Sequence, residues 1–233
     1  MKDAAWYRRL VGWLVYLTIT RPEFTYVVHI LSQFMQSHRE DHLEAIGQVL
    51  RYLKGYAGEG VLLCAKSDLQ LNGFCDSDWD FCSLSRRSLT GYFITLGGSP
   101  ISWKAKKQAT VSRSLAEAEY KSMTAVTNEL VWLRSFLASV GIFHQQPMKL
   151  YCDSQAVLHI SWNPVFDERT KHIELDCHFV REKLMVGLLT FLHVPSKQQP
   201  ANIFTKPLGR GSSNTLKGSC AWSICILQFE GKY

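Results

Sequence analysis

The sequence predicts an α/β fold in which a helical first segment is followed by a region of alternating strands and helices. Apolar residues recur at helical spacing up to about residue 58, alternate with polar residues beyond residue 60, and return to helical spacing after residue 114. The chain has 233 residues, of which 46% are apolar. It is therefore long enough for one large domain with an appendage, and apolar enough for a buried core.

Residues 1–58 are predicted to form helices. Leu10, Leu14 and Leu17 fall on one helix face, and a second apolar run with the same spacing follows Pro22. Proline lacks a backbone donor, so the first helix is expected to end at Arg21-Pro22. A third amphipathic stretch runs from residue 43 to residue 53. Glycines at positions 55, 58 and 60 then mark the predicted domain boundary.

Beyond residue 60 the pattern is typical of strands. Strands are predicted at residues 61–64, 69–76, 91–96, 101–103 and 148–152. Gly97-Gly98 is predicted to be a hairpin turn, so three or four of these strands are antiparallel. A long helix is expected from Ser114 to Val140 and is closed by Gly141. A shorter helix is expected at residues 156–162, directly after the last strand.

Three carboxylates form a candidate metal site. Asp76 and Asp153 each follow a cysteine at the end of an apolar strand. Ser114 as the N-cap gives Glu117 a capping-box role and leaves Glu119 without an assigned one. Metal-assisted phosphodiester chemistry requires such a set of hard oxygen ligands. The alternatives stay open at this point: Asp153 as a helix cap, and Glu119 as a solvent-facing residue.

The basic residues suggest a polyanionic partner. The formal charge is +6, and basic residues are concentrated in the middle of the chain at Arg86, Arg87, Lys104, Lys106, Lys107 and Arg113. A solvated turn after the strand at 101–103 explains the same lysines, and charge alone leaves both interpretations open.

Cysteine usage and the absence of long apolar runs indicate an intracellular protein. The seven cysteines include no Cys-x-x-Cys pair, so we expect reduced core cysteines and neither a disulfide framework nor a structural zinc site. No apolar run reaches the ~18 residues needed to span a bilayer. The start of the sequence lacks the pattern of a signal peptide. No membrane partner is expected.

A series of motifs extends through most of the chain. The first five are Cys-Asp-Ser-Asp-Trp at 75–79, Arg-Arg-Ser-Leu-Thr-Gly-Tyr at 86–92, Ile-Ser-Trp-Lys at 101–104, Lys-Lys-Gln-Ala-Thr-Val-Ser-Arg-Ser at 106–114 and Ala-Glu-Ala-Glu-Tyr at 116–120. Four more are Tyr-Cys-Asp-Ser-Gln-Ala at 151–156, Glu-Arg-Thr-Lys-His-Ile-Glu at 168–174, Cys-His-Phe-Val-Arg-Glu at 177–182 and Ile-Phe-Thr-Lys-Pro-Leu at 203–208. In order and spacing they closely resemble the ribonuclease H domain of copia-type retrotransposon Pol polyproteins. Tyr-Arg-Arg-Leu-Val-Gly at 7–12 and Thr-Ile-Thr-Arg-Pro-Glu at 18–23 resemble the tail of the preceding reverse transcriptase.

This resemblance implies a ribonuclease H-like mixed sheet, with three antiparallel strands followed by parallel ones and helices on its flanks. It implies a reverse-transcriptase remnant at 1–58, a ribonuclease H-like domain at 59–208 and an atypical tail at 209–233. The implied activity is cleavage of the RNA strand of an RNA/DNA hybrid with two Mg²⁺ ions, for which Mn²⁺ substitutes. The implied partners are the hybrid and the remainder of the reverse transcriptase, with no small-molecule cofactor. A location in a cytoplasmic retroelement particle or in the nucleus follows.

The family places four acids around its metals. Three of them match Asp76, Glu119 and Asp153, and the fourth position is occupied by Asn202 in Ala-Asn-Ile-Phe-Thr-Lys. His193 matches a histidine in the mobile loop before the last helix, which is linked to water activation or product release. The residues expected to bind nucleic acid are Lys104, Lys106, Lys107, Arg113, Lys171 and His172.

Two departures from the family pattern leave two functions open. Asn202 offers a neutral carbonyl where the family has a carboxylate, and Asp167 replaces an expected histidine. The first function is a metal-dependent endoribonuclease whose activity is reduced by Asn202. The second is a non-catalytic remnant that retains the fold and nucleic-acid binding. Residues 1–58 lack a paired-aspartate polymerase motif, so no polymerase activity is predicted for this chain.

Overall fold

The structure is a computed structural model and describes residues 4–162 and 174–207. These residues divide into two compact units between Leu62 and Leu63. We call residues 4–62 the helical unit, and residues 63–162 with 174–207 the sheet unit. The tail predicted at 209–233 lies outside the described residues.

The helical unit contains three helices, α1 (Ala4–Leu17), α2 (Thr25–Ser32) and α3 (Glu40–Gly55). A 3₁₀ turn at Pro22–Phe24 separates α1 from α2, at the position where the proline predicts a break. All three helices contribute to one apolar core, whose members include Tyr7, Val11, Leu14, Val28, Leu31, Ile46 and Val49. In the described part of the chain, no helix is both long enough and apolar enough to cross a membrane.

The buried guanidinium of Arg21 holds the connection between α1 and α2. Its Nε lies 2.6 Å from Glu23 Oε1, and its Nη2 lies 3.2 Å from Glu59 Oε2. Its Nη1 donates to the Tyr56 carbonyl at 2.9 Å. A buried charge is tolerated only when it is paired and hydrogen-bonded, and these contacts meet that condition. They also fasten the end of α3 to the turn.

The sheet unit is built on five strands, β1 (Leu71–Asp78), β2 (Leu89–Leu96), β3 (Ser99–Lys107), β4 (Met148–Cys152) and β5 (Leu189–His193). Their order across the sheet is β3-β2-β1-β4-β5. The first three strands pair antiparallel, whereas β4 pairs parallel with β1 and with β5. The predicted mixed sheet, with antiparallel strands followed by parallel ones, is confirmed.

Helix α4 (Leu115–Ser139) covers β1 and β2, and α6 (Glu174–Met185) packs against α4. The shorter helix α5 (Gln155–Trp162) contacts both of them. The core between these helices and the sheet includes Leu71, Ile94, Met123, Val126, Leu130, Leu150 and Val180. Gly73 permits the close approach of α4, since a Cβ at this position would lie 2.8 Å from Leu130 Cδ1.

Two features of the sheet differ from the sequence prediction. Residues 61–64 form no regular strand, although Cys64 N donates to Ser99 Oγ at 2.9 Å. The strand predicted at 101–103 extends to Lys107, so the lysines lie on a strand instead of a turn. The cause is its pairing with β2, in which Leu89 is opposite Lys107. On this strand Lys104 and Lys106 are exposed, and Lys107 is partly buried.

The opposite face of the sheet is covered by a 3₁₀ helix at Pro200–Phe204, which contacts β1 and β2. Gly91 on β2 makes this approach possible. A Cβ there would lie 2.6 Å from Thr205 Cγ2 and 3.1 Å from the Ala201 carbonyl oxygen. This helix and the two residues after it bring Asn202, Thr205 and Lys206 to the edge of the sheet where β1 and β4 end.

Candidate metal centre

The parallel pairing of β1 and β4 brings two predicted acids to the same edge of the sheet. Phe74 is opposite Tyr151 in the register, and Asp76 and Asp153 each follow two residues later. The carboxyl ends of neighbouring parallel strands meet at one edge, where side chains from several elements converge. Asp76 is 1% exposed, whereas Asp153 is only partly buried.

Glu119 of α4 points into this edge. One of its carboxylate oxygens, Cys152 Sγ and an oxygen of Asp153 all lie within 4.8 Å of one another. Glu119 is 5% exposed, and its Oε2 has no hydrogen-bond partner among the described residues. A buried oxygen without a donor is costly unless a proton or a cation satisfies it.

The electrostatics of the cluster agree with this geometry. Burial raises the pKa of Glu119 to about 9, and the negative charge of Asp76 contributes to the rise, followed by Cys152 and Asp153. Burial also raises the pKa of Asp76, an effect that Lys206 and Thr205 oppose. Acids that raise one another's pKa in this way share a site that is short of positive charge.

Glu117 and Glu119 have different surroundings, as the capping pattern predicts. Glu117 N donates to Ser114 Oγ at 3.2 Å, and the Glu117 carboxylate accepts from Arg113 N at 2.7 Å. It also forms an ion pair with Lys121 at 2.7 Å, one helical turn further on. The return bond goes to Arg113 N instead of the N-cap amide. Glu117 therefore stabilises the start of α4 and Glu119 faces the acidic cluster.

Asn202, which the motif pattern predicts at the position of the family's fourth acid, is linked to Asp76 through Lys206. Its Nδ2 donates to the Ser196 carbonyl at 2.6 Å, and its Oδ1 accepts from Lys206 Nζ at 2.6 Å. Lys206 Nζ also lies 3.2 Å from Asp76 Oδ1, while Thr205 Oγ1 donates to Asp76 Oδ2. An ammonium group thus stands between Asn202 and Asp76.

Two residues that the sequence analysis missed hold the strand ends in place. Ser196 Oγ donates to Asp153 Oδ2 at 2.5 Å. Gln199 is fully buried, and its Nε2 donates to the Cys75 carbonyl at 2.9 Å and to the Tyr151 carbonyl at 3.4 Å. Gln199 therefore joins β1 to β4 just before their acids. No sequence signal marks either residue, because their partners are distant in the chain. Thr205 and Lys206 belong to the Ile-Phe-Thr-Lys-Pro-Leu motif, which predicts no role for either of them.

His193 is the last residue of β5, pairs with Cys152 in the register and has an exposed side chain. It therefore lies at the same edge as Asp153, at the end of a strand. Its role in water activation or product release stays a prediction. Asp80 forms an ion pair with Arg86 at 2.6 Å in the loop after β1, outside the cluster.

The structure describes four of the six residues that are predicted to contact nucleic acid. Lys104 and Lys106 are exposed on β3, and Arg113 is exposed just before α4. A pocket of about 400 Å³ lies between β2, β3 and α4. Its charged lining residues are Lys104, Lys106, Lys107, Lys121, Glu129 and Asp176. Lysines are in the majority, so the pocket favours an anionic group. Lys171 and His172 lie outside the described residues, as does Asp167.

The cluster fits a divalent cation. Glu119 and Asp153 offer hard carboxylate oxygens, the ligands that Mg²⁺ and Mn²⁺ prefer, and Glu119 Oε2, which has no partner among the described residues, is the position that a cation would satisfy. Asp76 is not in this group of close ligand atoms, but its charge acts on Glu119. Cys152 Sγ is a softer donor, but it is buried in the core and already accepts from Ser154 N at 3.4 Å. The carboxylates are therefore the residues that would hold the ion.

A mixed sheet of this strand order, with acids at the ends of neighbouring parallel strands, defines a ribonuclease H-like fold. No family model matches the chain. The chain is 41% identical over 210 residues to the retrovirus-related Pol polyprotein from transposon RE1 of Arabidopsis thaliana, covering 90% of the chain and 14% of that protein. It is 36% identical over 212 residues to that from transposon TNT 1-94 of Nicotiana tabacum, covering 91% of the chain and 16% of that protein.

A shorter relative is an uncharacterized mitochondrial protein of Arabidopsis thaliana, which is 50% identical over 78 residues, 34% of the chain and 70% of that protein. The chain belongs to the family of retrovirus-related Pol polyproteins from transposons. It spans only 14% to 16% of the length of the Pol polyproteins named above.

Solved structures give weaker similarities. The ribonuclease H1 of the halophilic archaeon Halobacterium salinarum is 15% identical with a TM-score of 0.38, covering 57% of this chain and 90% of that chain. A foamy viral protease-reverse transcriptase in complex with double-stranded DNA is 10% identical with a TM-score of 0.47, covering 81% of this chain and 31% of that chain. The family assignment rests on the sequence relatives.

Proposed function

We propose that the sheet unit is the ribonuclease H part of a retrotransposon Pol polyprotein and hydrolyses the RNA strand of an RNA/DNA hybrid. The observation that carries this proposal is the position of Glu119 beside Cys152 and Asp153, with one buried oxygen that has no partner among the described residues. Burial, and then the charge of Asp76, raises the pKa of Glu119. Such a cluster has no structural purpose comparable with that of Glu117. A buried acid whose pKa is raised by burial and by neighbouring acids is typical of a functional site.

The residues of the cluster have distinct tasks in this proposal. Asp76, Glu119 and Asp153 supply the negative charge that binds Mg²⁺, or Mn²⁺ in its place. When bound, the cation supplies Lewis-acid polarisation of the scissile phosphate and a lower pKa for the attacking water. Ser196 and Gln199 fix the position of Asp153 and of the two strand ends. The exposed imidazole of His193 stands at the same edge, where it is suited to accept a proton from water or to help the product leave.

The basic residues supply the binding surface. Lys104, Lys106 and Arg113 are exposed, and the lysine-lined pocket beside α4 adds further positive charge. Contacts of lysine and arginine to phosphates position a nucleic acid without reading its sequence. We therefore propose a hybrid partner recognised by its backbone shape and by the 2′-hydroxyl groups of its RNA strand.

A second candidate function is nucleic-acid binding without catalysis. The observation that favours it is the neutral side chain of Asn202, whose Oδ1 accepts from Lys206 at 2.6 Å. Fewer anionic ligands bind a cation more weakly. The loss of a cation contact in the transition state costs several kcal/mol, and each 1.4 kcal/mol is about a tenfold loss in rate.

Cleavage of an end-labelled RNA/DNA hybrid tests the proposal. The native chain is expected to cut slowly, and faster with Mn²⁺ than with Mg²⁺, because Mn²⁺ tolerates imperfect ligand geometry. Asn202→Asp is expected to increase the rate by at least about 100-fold, the size of a lost cation contact. Adding Asp76→Asn to that variant should abolish cleavage, whereas Asp80→Asn, the same change outside the cluster, should leave it intact.

The two functions predict different results in this assay. If the native chain and the Asn202→Asp variant both bind the hybrid and neither cuts it, the nuclease function is contradicted and the binding function is supported. Equal Mg²⁺-dependent rates for the two chains would show that Asn202 is not at the fourth ligand position.

A further inference from the structure

The Lys206 ammonium group occupies the space between Asp76 and Asn202. Its Nζ lies 3.2 Å from Asp76 Oδ1 and 2.6 Å from Asn202 Oδ1. Both partners lie deep in the protein, since Asp76 is 1% exposed and Asn202 is 6% exposed. The two contacts resemble those that a bound cation would make with these oxygens.

The protein's own donors satisfy both oxygens of Asp76. Lys206 contacts Oδ1, and Thr205 Oγ1 donates to Oδ2. By contrast, Glu119 Oε2 has no hydrogen-bond partner in the described part of the chain. The positive charge supplied from within the chain therefore neutralises one side of the cluster, the side of Asp76, and leaves the side of Glu119 and Asp153 acidic.

We propose that Lys206 is a built-in cation that takes the place of a second divalent ion between Asp76 and Asn202, so that this chain binds a single divalent ion on Glu119 and Asp153. The proposal rests on the proposed function for the identity of the site, and it adds what fills the site. Asn202 is part of the arrangement, since its neutral amide oxygen accepts from the ammonium group while its Nδ2 is held by the Ser196 carbonyl.

Lys206 has one simple alternative role. Its side chain is 41% exposed, so the ammonium group has a route into solvent. If it leaves whenever a divalent ion arrives, its removal changes neither the number of ions bound nor their affinity. The number of ions bound therefore distinguishes a built-in cation from a surface ion pair.

The test is a titration of the full chain with Mn²⁺ alone, without nucleic acid, in which free Mn²⁺ is measured by electron paramagnetic resonance. The native chain should bind one Mn²⁺, and Lys206→Gln should bind a second. The total affinity should rise at least about tenfold, the usual effect of removing one opposing charge from a shared site. Lys149→Gln, the same change at an exposed lysine of β4, should behave as the native chain.

A urea titration in a chelator keeps the test decisive if Lys206→Gln folds poorly. Without metal, this variant should unfold at lower urea than the native chain, because Asp76 loses its nearby positive charge. Saturating Mn²⁺ should then raise its midpoint more than that of the native chain. The proposal would be overturned if Lys206→Gln bound the same number of ions as the native chain with the same affinity. It would also be overturned if the native chain bound two ions, or if neither chain bound any.

Failure of the nuclease function is a separate result. If the protein cuts no hybrid but the Lys206→Gln variant binds one more Mn²⁺ ion than the native chain, the proposed activity is contradicted and the role of Lys206 is supported. A chain that cuts hybrids but binds Mn²⁺ equally with and without Lys206 would support the activity and contradict that role.

Discussion

Glu119 gives the clearest prediction about stability, because its surroundings oppose its ionised form. Burial and then Asp76 raise its pKa from 4.5 to about 9 in the folded state. The folded protein therefore binds more protons than the unfolded chain between these two pH values. The free energy of unfolding falls as the pH rises through this window.

The magnitude follows from the shift in pKa. Each unit of pKa is worth about 1.4 kcal/mol, so the raised pKa of Glu119 removes on the order of 3 kcal/mol of stability at pH 7 relative to acidic solution. Glutamine has the shape of a protonated glutamate and does not ionise. Glu119→Gln should therefore match the native chain below pH 4.5 and exceed its stability at pH 7 by up to about 3 kcal/mol.

Urea unfolding followed by circular dichroism, in a chelator at several pH values between 4 and 8.5, measures this difference. Glu117→Gln is the matched control on the same helix. It removes the ion pair with Lys121 and leaves a neutral amide oxygen as the acceptor for Arg113 N, so it should cost up to about 1 kcal/mol. A Glu119→Gln variant that is less stable than the native chain at pH 8, or equally dependent on pH, would refute the account of the cluster.

Three further predictions concern the surroundings of the site. Gly91→Ala should push the Pro200–Phe204 helix off the sheet, because its Cβ would lie 3.1 Å from the Ala201 carbonyl; urea unfolding should show a loss of about 1–3 kcal/mol, and an unchanged midpoint would contradict the packing. Gln199→Leu should leave two strand carbonyls without their donor, lowering stability by about 1–3 kcal/mol; a neutral effect would mean that other donors replace it. Replacing Lys104 and Lys106 by glutamine should weaken hybrid binding and flatten its dependence on salt, measured by fluorescence anisotropy; an unchanged salt slope would show that the hybrid binds elsewhere.

The sequence predicts the elements of the sheet unit wherever local pattern and local structure agree. Strand β4 spans the predicted residues, Met148–Cys152. The turn at Gly97 and Gly98 has the positive φ angles, +54° and +82°, that a tight hairpin requires. Both features depend on neighbours in the sequence.

The errors come from partners that are distant in the chain. Residues 61–64 have the composition of a strand but are not paired in the sheet. The lysines at 104–107 look like a turn, yet pairing with β2 makes them a strand. A strand is formed by its pairing, and that pairing is a tertiary property.

The same distinction applies to the candidate site, whose locally determined parts could be predicted and whose long-range contacts could not. Strand ends and helix caps lie in the sequence, so Asp76, Asp153 and the contrast between Glu117 and Glu119 could be inferred from it. Lys206 and Gln199 reach Asp76 and Cys75 across more than a hundred residues. Only the folded chain shows that an ammonium group stands between Asp76 and Asn202.

The most direct measurement of the central claim compares Glu119→Gln with Glu117→Gln in the cleavage of an RNA/DNA hybrid, both in the Asn202→Asp background with saturating Mn²⁺. The two variants make the same change on the same helix, two residues apart. Glu119→Gln should lose activity by at least about 100-fold, since it removes a charged ligand of the cation, while Glu117→Gln should retain activity once its lower stability is allowed for. Retention of cleavage by Glu119→Gln, or its loss in Glu117→Gln alone, would contradict the assignment of Glu119 as a ligand of the cation.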